Sequence, residues 1–128
     1  MESLQFEEIT KIIIGCAYNV HNALGAGYYE KVYQKALQIA MTKAGLKAIP
    51  EYRIEVFYEK EMVGEYYADF LVNDLILLEL KAVENLMPAF EVQLVNNLAG
   101  AKLDIGLLIN FGSSVTVKRK FRVYKATK

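Results

Sequence analysis

Residues 75–82 read LILLELKA, and this run constrains the fold more than any other part of the chain. Successive side chains of a strand point to opposite faces. Leu75 to Leu78 and Leu80 therefore make an extended segment apolar on both faces, which belongs in the middle of a sheet covered on both sides. Yet Glu79 and Lys81 sit in the same run, and Asp69 precedes it in ADFLV. Desolvating an unpaired charge costs several kcal/mol, roughly, so the strand needs a reason to carry them. Glu79 and Lys81, two apart, share a face. Asp69 opposes Glu79 only if paired residue numbers on the two strands sum to 148. That requires a three-residue loop, a longer odd loop, or a bulge between Leu71 and Ile76. A two-residue turn at Asn73-Asp74 would put the two carboxylates on opposite faces.

The surrounding pattern supplies the rest of the layers. Phe6, Ile9, Ile13, Cys16, Ala17, Val20 and Leu24 recur at steps of three and four, which predicts an amphipathic helix over about 4–23, stopped by the glycines at 25–27. A second helix is expected over about 28–43, with Tyr29, Val32, Tyr33, Ala36, Leu37 and Ala40 inward and Gly45 at its end. After Pro50 the period becomes two, with Tyr52, Ile54, Val56 and Tyr58 alternating against Arg53, Glu55 and Phe57. A polar EKE turn leads to a second strand over 62–72, and 75–82 is the third. Pro88 opens a helix to about Lys102. DIGLLINFG is a buried fourth strand, and VTVKRKFRVYK a more polar fifth at an edge. The order is α-α-β-β-β-α-β-β. Three early strands form a meander, and the helix after the third permits a right-handed crossover to a parallel fourth. The expectation is a single α/β domain over 1–128 with a mixed central sheet flanked by helices.

Length and charge narrow the partners. At 128 residues the chain can bury about two-thirds of its unfolded surface as one domain. Fifteen basic and fifteen acidic residues cancel, so no global basic footprint marks a nucleic-acid binder. The charge is uneven, however. Lys118, Arg119, Lys120, Arg122, Lys125 and Lys128 crowd the end, where they read first as a solvated edge strand. One cysteine, Cys16, excludes an intrachain disulfide and a thiolate metal site, and suits a reducing compartment. The start lacks a signal-like pattern and IIIGCAY is too short to span a bilayer, so a cytoplasmic protein with no membrane partner is expected. Hydrophobic residues make up 54% of the chain, more than a small core can hide. A homodimer through Ile12, Ile13, Ile14, Tyr18, Tyr28 and Tyr29 would cover the surplus.

Aligned across the hairpin, Asp69 and Glu79 would stand about 5 Å apart at Cβ. Carboxylates that close repel, and one pKa rises unless a cation sits between them. A hard divalent ion such as Mg²⁺ takes oxygen ligands of this kind, and Lys81 beside them could hold the attacking water or offset charge on a phosphate. A plain cross-strand salt bridge is the competing reading of the same three residues.

Asp69 and, ten positions on, Glu79 in LELKA resemble the metal-binding Asp and E-x-K of the PD-(D/E)XK nuclease superfamily, although Ala68 stands where the name has proline. The predicted element order also looks like that restriction-endonuclease-like core. More narrowly, HNALGAGYYEKVYQKAL resembles the motif of the GxxExxY family, with Gly27, Glu30 and Tyr33 on its named positions. ELKA, Gln93 and GLLINFG follow in that family's order, and the likeness covers roughly residues 10–112.

The resemblance implies a Mg²⁺- or Mn²⁺-dependent nuclease. Asp69, Glu79 and the Leu80 carbonyl would hold the metal, and Lys81 would orient water. Glu30 would act through water or a second metal, and Gln93 would lie near the site. Each has a blander alternative. Glu30 suits the positive end of a helix dipole, His21 the opposite end of another helix, and Tyr33 the core. Asn97 stands where the fuller pattern has a tyrosine, which removes a stacking group and bears on substrate grip. Two functions remain open: a phosphodiesterase acting on DNA or RNA, and a non-catalytic nucleic-acid-binding or assembly module of the same fold.

Overall fold

The computed structural model describes residues 2–123. Helices α1 (Glu2–Leu24) and α2 (Glu30–Lys43) come first, followed by strands β1 (Ala48–Tyr58), β2 (Glu61–Val72) and β3 (Ile76–Lys81). Helix α3 (Pro88–Ala101) and strands β4 (Ile105–Phe111) and β5 (Val115–Phe121) complete the order. The five strands form one sheet in sequence order, with β3 and β4 parallel and every other pair antiparallel. β3 is therefore central and β5 an edge, as the sequence implies. Tyr124 and Lys125, the last two residues expected in the fifth strand, lie outside the described residues, as does Lys128.

Two cores sit on the two sides of the sheet. Ile9, Ile13 and Val20 of α1 and Tyr33, Leu37 and Met41 of α2 pack on Phe70, Leu78, Leu80, Leu107 and Ile109. Leu94 and Leu98 of α3 pack on Ile54, Ala68, Leu77 and Leu108. Gly106 makes the second contact close: a Cβ there would meet Leu94 Cδ1 at 2.9 Å and the Leu77 carbonyl oxygen at 3.1 Å. α3 ends on Lys102 in the left-handed region, with Leu103 N–H donating to the Leu98 carbonyl.

The side-chain expectations need two corrections. Tyr29, expected inward, is 88% exposed and Val32 is partly so. Tyr29 precedes the first turn of α2 as its N-cap, with extended φ/ψ, so helical spacing does not govern it. Ile13, expected both in the inward stripe and on the dimer surface, is fully buried in the core and so is not available to the latter.

The β2–β3 hairpin has the register that the charged residues demand. Phe70 pairs with Leu78, Leu71 with Leu77 and Val72 with Ile76, each summing to 148, around a three-residue loop. Asn73 and Asp74 in that loop both adopt the left-handed conformation, which these residue types tolerate. A second irregularity was not legible in the sequence. β1–β2 pairing runs from Pro50↔Phe70 to Tyr52↔Ala68, and Glu51 between them has a φ of 52°. Phe70 and Val72 face α1 and α2, whereas Tyr66 and Ala68 face α3. The alternation of β2 thus reverses at Asp69, where the strand also parts from β3.

Candidate active site and metal centre

Asp69 stands at that fork, next in register to Glu79. With β2 diverging, the Leu80 N–H loses a backbone acceptor and donates instead to Asp69 Oδ2 at 2.7 Å. The N–H and C=O of one strand residue leave on the same edge, so the Leu80 carbonyl also faces the fork. Glu79 lies beside Asp69 within hydrogen-bonding range, and its Oε2 accepts from Asn97 Nδ2 of α3 at 2.9 Å. Burial, then the neighbouring Asp69 charge, pushes the Glu79 carboxyl up to about 7. Burial also raises Asp69, opposed by the Leu80 N–H. The pair accordingly holds a shared proton more readily than two separate carboxyls would.

Glu30 opens α2 and reaches the same cavity, of about 210 Å³. Its carboxyl is raised by burial and by Asp69, with Lys81 and Lys31 pulling the other way. Lys81, two positions after Glu79 on the same strand face, lines the cavity with its ammonium 4.4 Å from the Phe90 ring centroid. It is the only cation among the described residues lining that space, facing the carboxylates of Glu30, Asp69 and Glu79. Gln93 joins from α3. The fold thus brings Glu30, Asp69, Glu79, Lys81 and Gln93 together, and sets the Leu80 backbone against Asp69.

Several neighbours escaped the sequence reading. Gln34 is buried and donates from Nε2 to the Asp69 carbonyl at 3.3 Å, tying α2 to the kink in β2. It lies four residues after Glu30, on the same helix face, and that spacing was the available signal. Tyr66, Tyr67 and Phe90 also line the cavity. Only Phe90 was signalled, three residues before Gln93. Asn97 is the larger surprise. Its amide engages Glu79, so the position expected to bear on substrate grip touches a candidate metal ligand instead.

The motif residues outside the cavity hold its frame. Gly27 has a φ of 105°, which only glycine adopts readily. Tyr33 is fully buried, stacks on Phe111, and donates its hydroxyl to the Gly25 carbonyl at 2.6 Å. His21 Nε2 donates to the Gly112 carbonyl at 2.8 Å, fastening α1 to the β4–β5 turn. Asn110 grips both the N–H and the carbonyl of Val83, each at 2.9 Å, just beyond β3. These residues fix the loops that end β3 and begin α2, and hence Lys81 and Glu30.

Among the described residues no cluster of three or more His, Cys, Asp or Glu side chains is assembled for a metal. The donor set at the fork nonetheless fits a hard divalent ion. Two adjacent carboxylates whose ionisation burial and mutual repulsion resist are relieved by a cation. Mg²⁺ in particular uses one or two carboxylates and leaves its other positions to carbonyls, water and phosphate.

A mixed sheet whose central strands part at a carboxylate pair, with a lysine beside them, defines a nuclease-like α/β architecture. Comparison with known proteins agrees. The chain belongs to the PD-(D/E)XK nuclease superfamily, whose family model matches residues 7–123. No curated protein matches the sequence. Two solved structures share the fold. The crystal structure of SSO0001 superposes with a TM-score of 0.58 at 12% identity, covering 74% of this chain and 50% of the other. The alkaline exonuclease LHK-Exo from Laribacter hongkongensis gives 0.50 at 11% identity, covering 84% and 76%. The chain thus spans half the length of SSO0001.

Proposed function

We propose that this chain hydrolyses phosphodiester bonds of DNA or RNA with Mg²⁺ or Mn²⁺. The observation that carries the reading is the fork itself: Asp69 and Glu79 side by side, the Leu80 backbone against Asp69, and Lys81 on the same strand face. Asp69, Glu79 and the Leu80 carbonyl would hold the ion. When bound, such an ion polarises a phosphoryl oxygen and acidifies water. Lys81 orients the attacking water and offsets charge developing on the phosphate. Water adds to phosphorus and releases a proton to solvent, the bond to the leaving sugar oxygen breaks, and that oxygen takes up a proton from solvent. Glu30 steadies solvent opposite Lys81, or a second ion, and Gln93 hydrogen-bonds the substrate at the mouth. The positive φ of Gly27, the cavity position of Glu30 and the structural hydroxyl of Tyr33 support membership of the GxxExxY group within the superfamily.

Residues 1–128 act as one nuclease-like unit in this reading. A homodimer would lengthen a groove that is short for a nucleic acid; Ile12 and Tyr18 of α1 are partly exposed on the surface it would use. No helix among the described residues is long and apolar enough to cross a membrane. The lone buried thiol of Cys16 suits the reducing cytoplasm.

Assays on single- and double-stranded DNA and RNA with Mg²⁺ or Mn²⁺ test the proposal, alongside a divalent-ion titration. The wild type should bind the ion and cleave at least one substrate, and Asp69→Ala should do neither. Ion binding without cleavage of any of the four would favour the non-catalytic module. Equal binding by Asp69→Ala would remove the metal site altogether.

A further inference from the structure

Helix α3 touches both charged groups of β3. Asn97 donates to Glu79, and Phe90 lies under the Lys81 ammonium. Seven residues separate the two, which is two turns along one helix face. Asn97 is 2% exposed, and its Oδ1 is buried with no hydrogen-bond partner. A buried carbonyl oxygen without a donor is costly, and such orphans call for an explanation. Packing does not give one, because a leucine fills a similar volume without the penalty.

The contact with Glu79 does give one. Asn97 turns its NH₂ toward Glu79, with Nδ2 donating to Oε2 at 2.9 Å. Oδ1 is then left buried without a donor, the cost of holding Glu79 with the other end of the amide.

We propose that α3 is the positioning element for the two charged residues of the strand. Asn97 fixes the Glu79 carboxylate through Nδ2 and so holds it ready for the ion. Phe90 fixes the Lys81 ammonium over its ring face. Both act through another group, and neither is a catalytic residue. The Asn97 half rests on the divalent-ion reading of the site; the Phe90 half does not. The sequence departure at position 97 then has a purpose: the helix gives up a stacking group and gains a second-layer support for a metal ligand.

Two readouts independent of turnover test this. Calorimetric titration with Mn²⁺ should show Asn97→Leu and Asn97→Ala binding at least about tenfold more weakly than wild type, the low end for loss of such a support. Phe90→Leu should bind as wild type does. Thermal unfolding in EDTA identifies which Asn97 variant is folded, and the folded one is read. By NMR, the ε-methylene protons of Lys81 should lie upfield in wild type from the ring current of Phe90. They should stay there in Phe90→Tyr and return to the ordinary lysine position in Phe90→Leu. A folded Asn97 variant that binds Mn²⁺ as tightly as wild type overturns the first contact. An ordinary Lys81 resonance in wild type overturns the second. Wild type that binds no Mn²⁺ removes the divalent-ion reading together with the role of Asn97, whereas binding lost only in Asp69→Ala leaves that reading standing without it.

Discussion

Glu79→Gln should make the metal-free protein more stable, although it removes a residue of the site. Burial and Asp69 raise the carboxyl from 4.5 to about 7. At 1.36 kcal/mol per pKa unit, ionising it in the folded state costs roughly 3 kcal/mol. Because the folded value lies above the unfolded one, the protein keeps its full stability below about 4.5 and loses it as pH rises through about 7. The new amide carries no charge, can still accept from Asn97, and can donate to Asp69. At pH 8 in EDTA the variant should therefore exceed wild type by about 2–3 kcal/mol, on the order of 10 °C in Tm for a chain this size. At pH 4 the two should converge. Mn²⁺ should erase the difference and then reverse it, since an ion that binds only the folded wild type adds RT ln(1 + [L]/Kd), about 2.7 kcal/mol at a hundredfold and about 4.1 at a thousandfold excess over Kd. Urea unfolding at the two pH values, with and without Mn²⁺, reads all three. A variant no more stable than wild type at pH 8, or a difference that ignores pH, would refute the reasoning.

Lys81→Met should reduce cleavage by at least about a hundredfold while Mn²⁺ binding by calorimetry persists, because the lysine acts in the transition state; unchanged cleavage would show that the lysine has no such role. Gly106→Ala should cost about 1–3 kcal/mol by crowding Leu94 and Leu98 against β4, read by urea unfolding. His21→Ala should cost about 1 kcal/mol through loss of its bond to Gly112, without altering Mn²⁺ affinity. Light scattering at high micromolar concentration should report a dimer, and Tyr18→Asp together with Ile12→Asp should return it to a monomer.

The sequence by itself determined the element order and the centre of the sheet. Leu75 to Leu78 and Leu80 are apolar on both faces, and only a covered central strand satisfies that. It also determined that Asp69 and Glu79 could meet, since their numbers sum to the value that one short loop delivers. The hydrophobic period carries no information about where a strand kinks, so the reversal at Asp69 and the positive φ of Glu51 came only with the tertiary structure. The same holds for Tyr29, whose spacing looks helical but whose backbone is extended. Gln34, Phe90 and Asn97 were each one helical step from a residue already singled out. Which of them reaches a strand depends on how α2 and α3 dock, and docking is set by packing across the sheet. Glycines at 106 and 112 illustrate the reason. Their meaning lies in atoms far along the chain, Leu94 in one case and Val83 in the other, that only the folded protein brings to where an added Cβ would meet them at 2.9 Å.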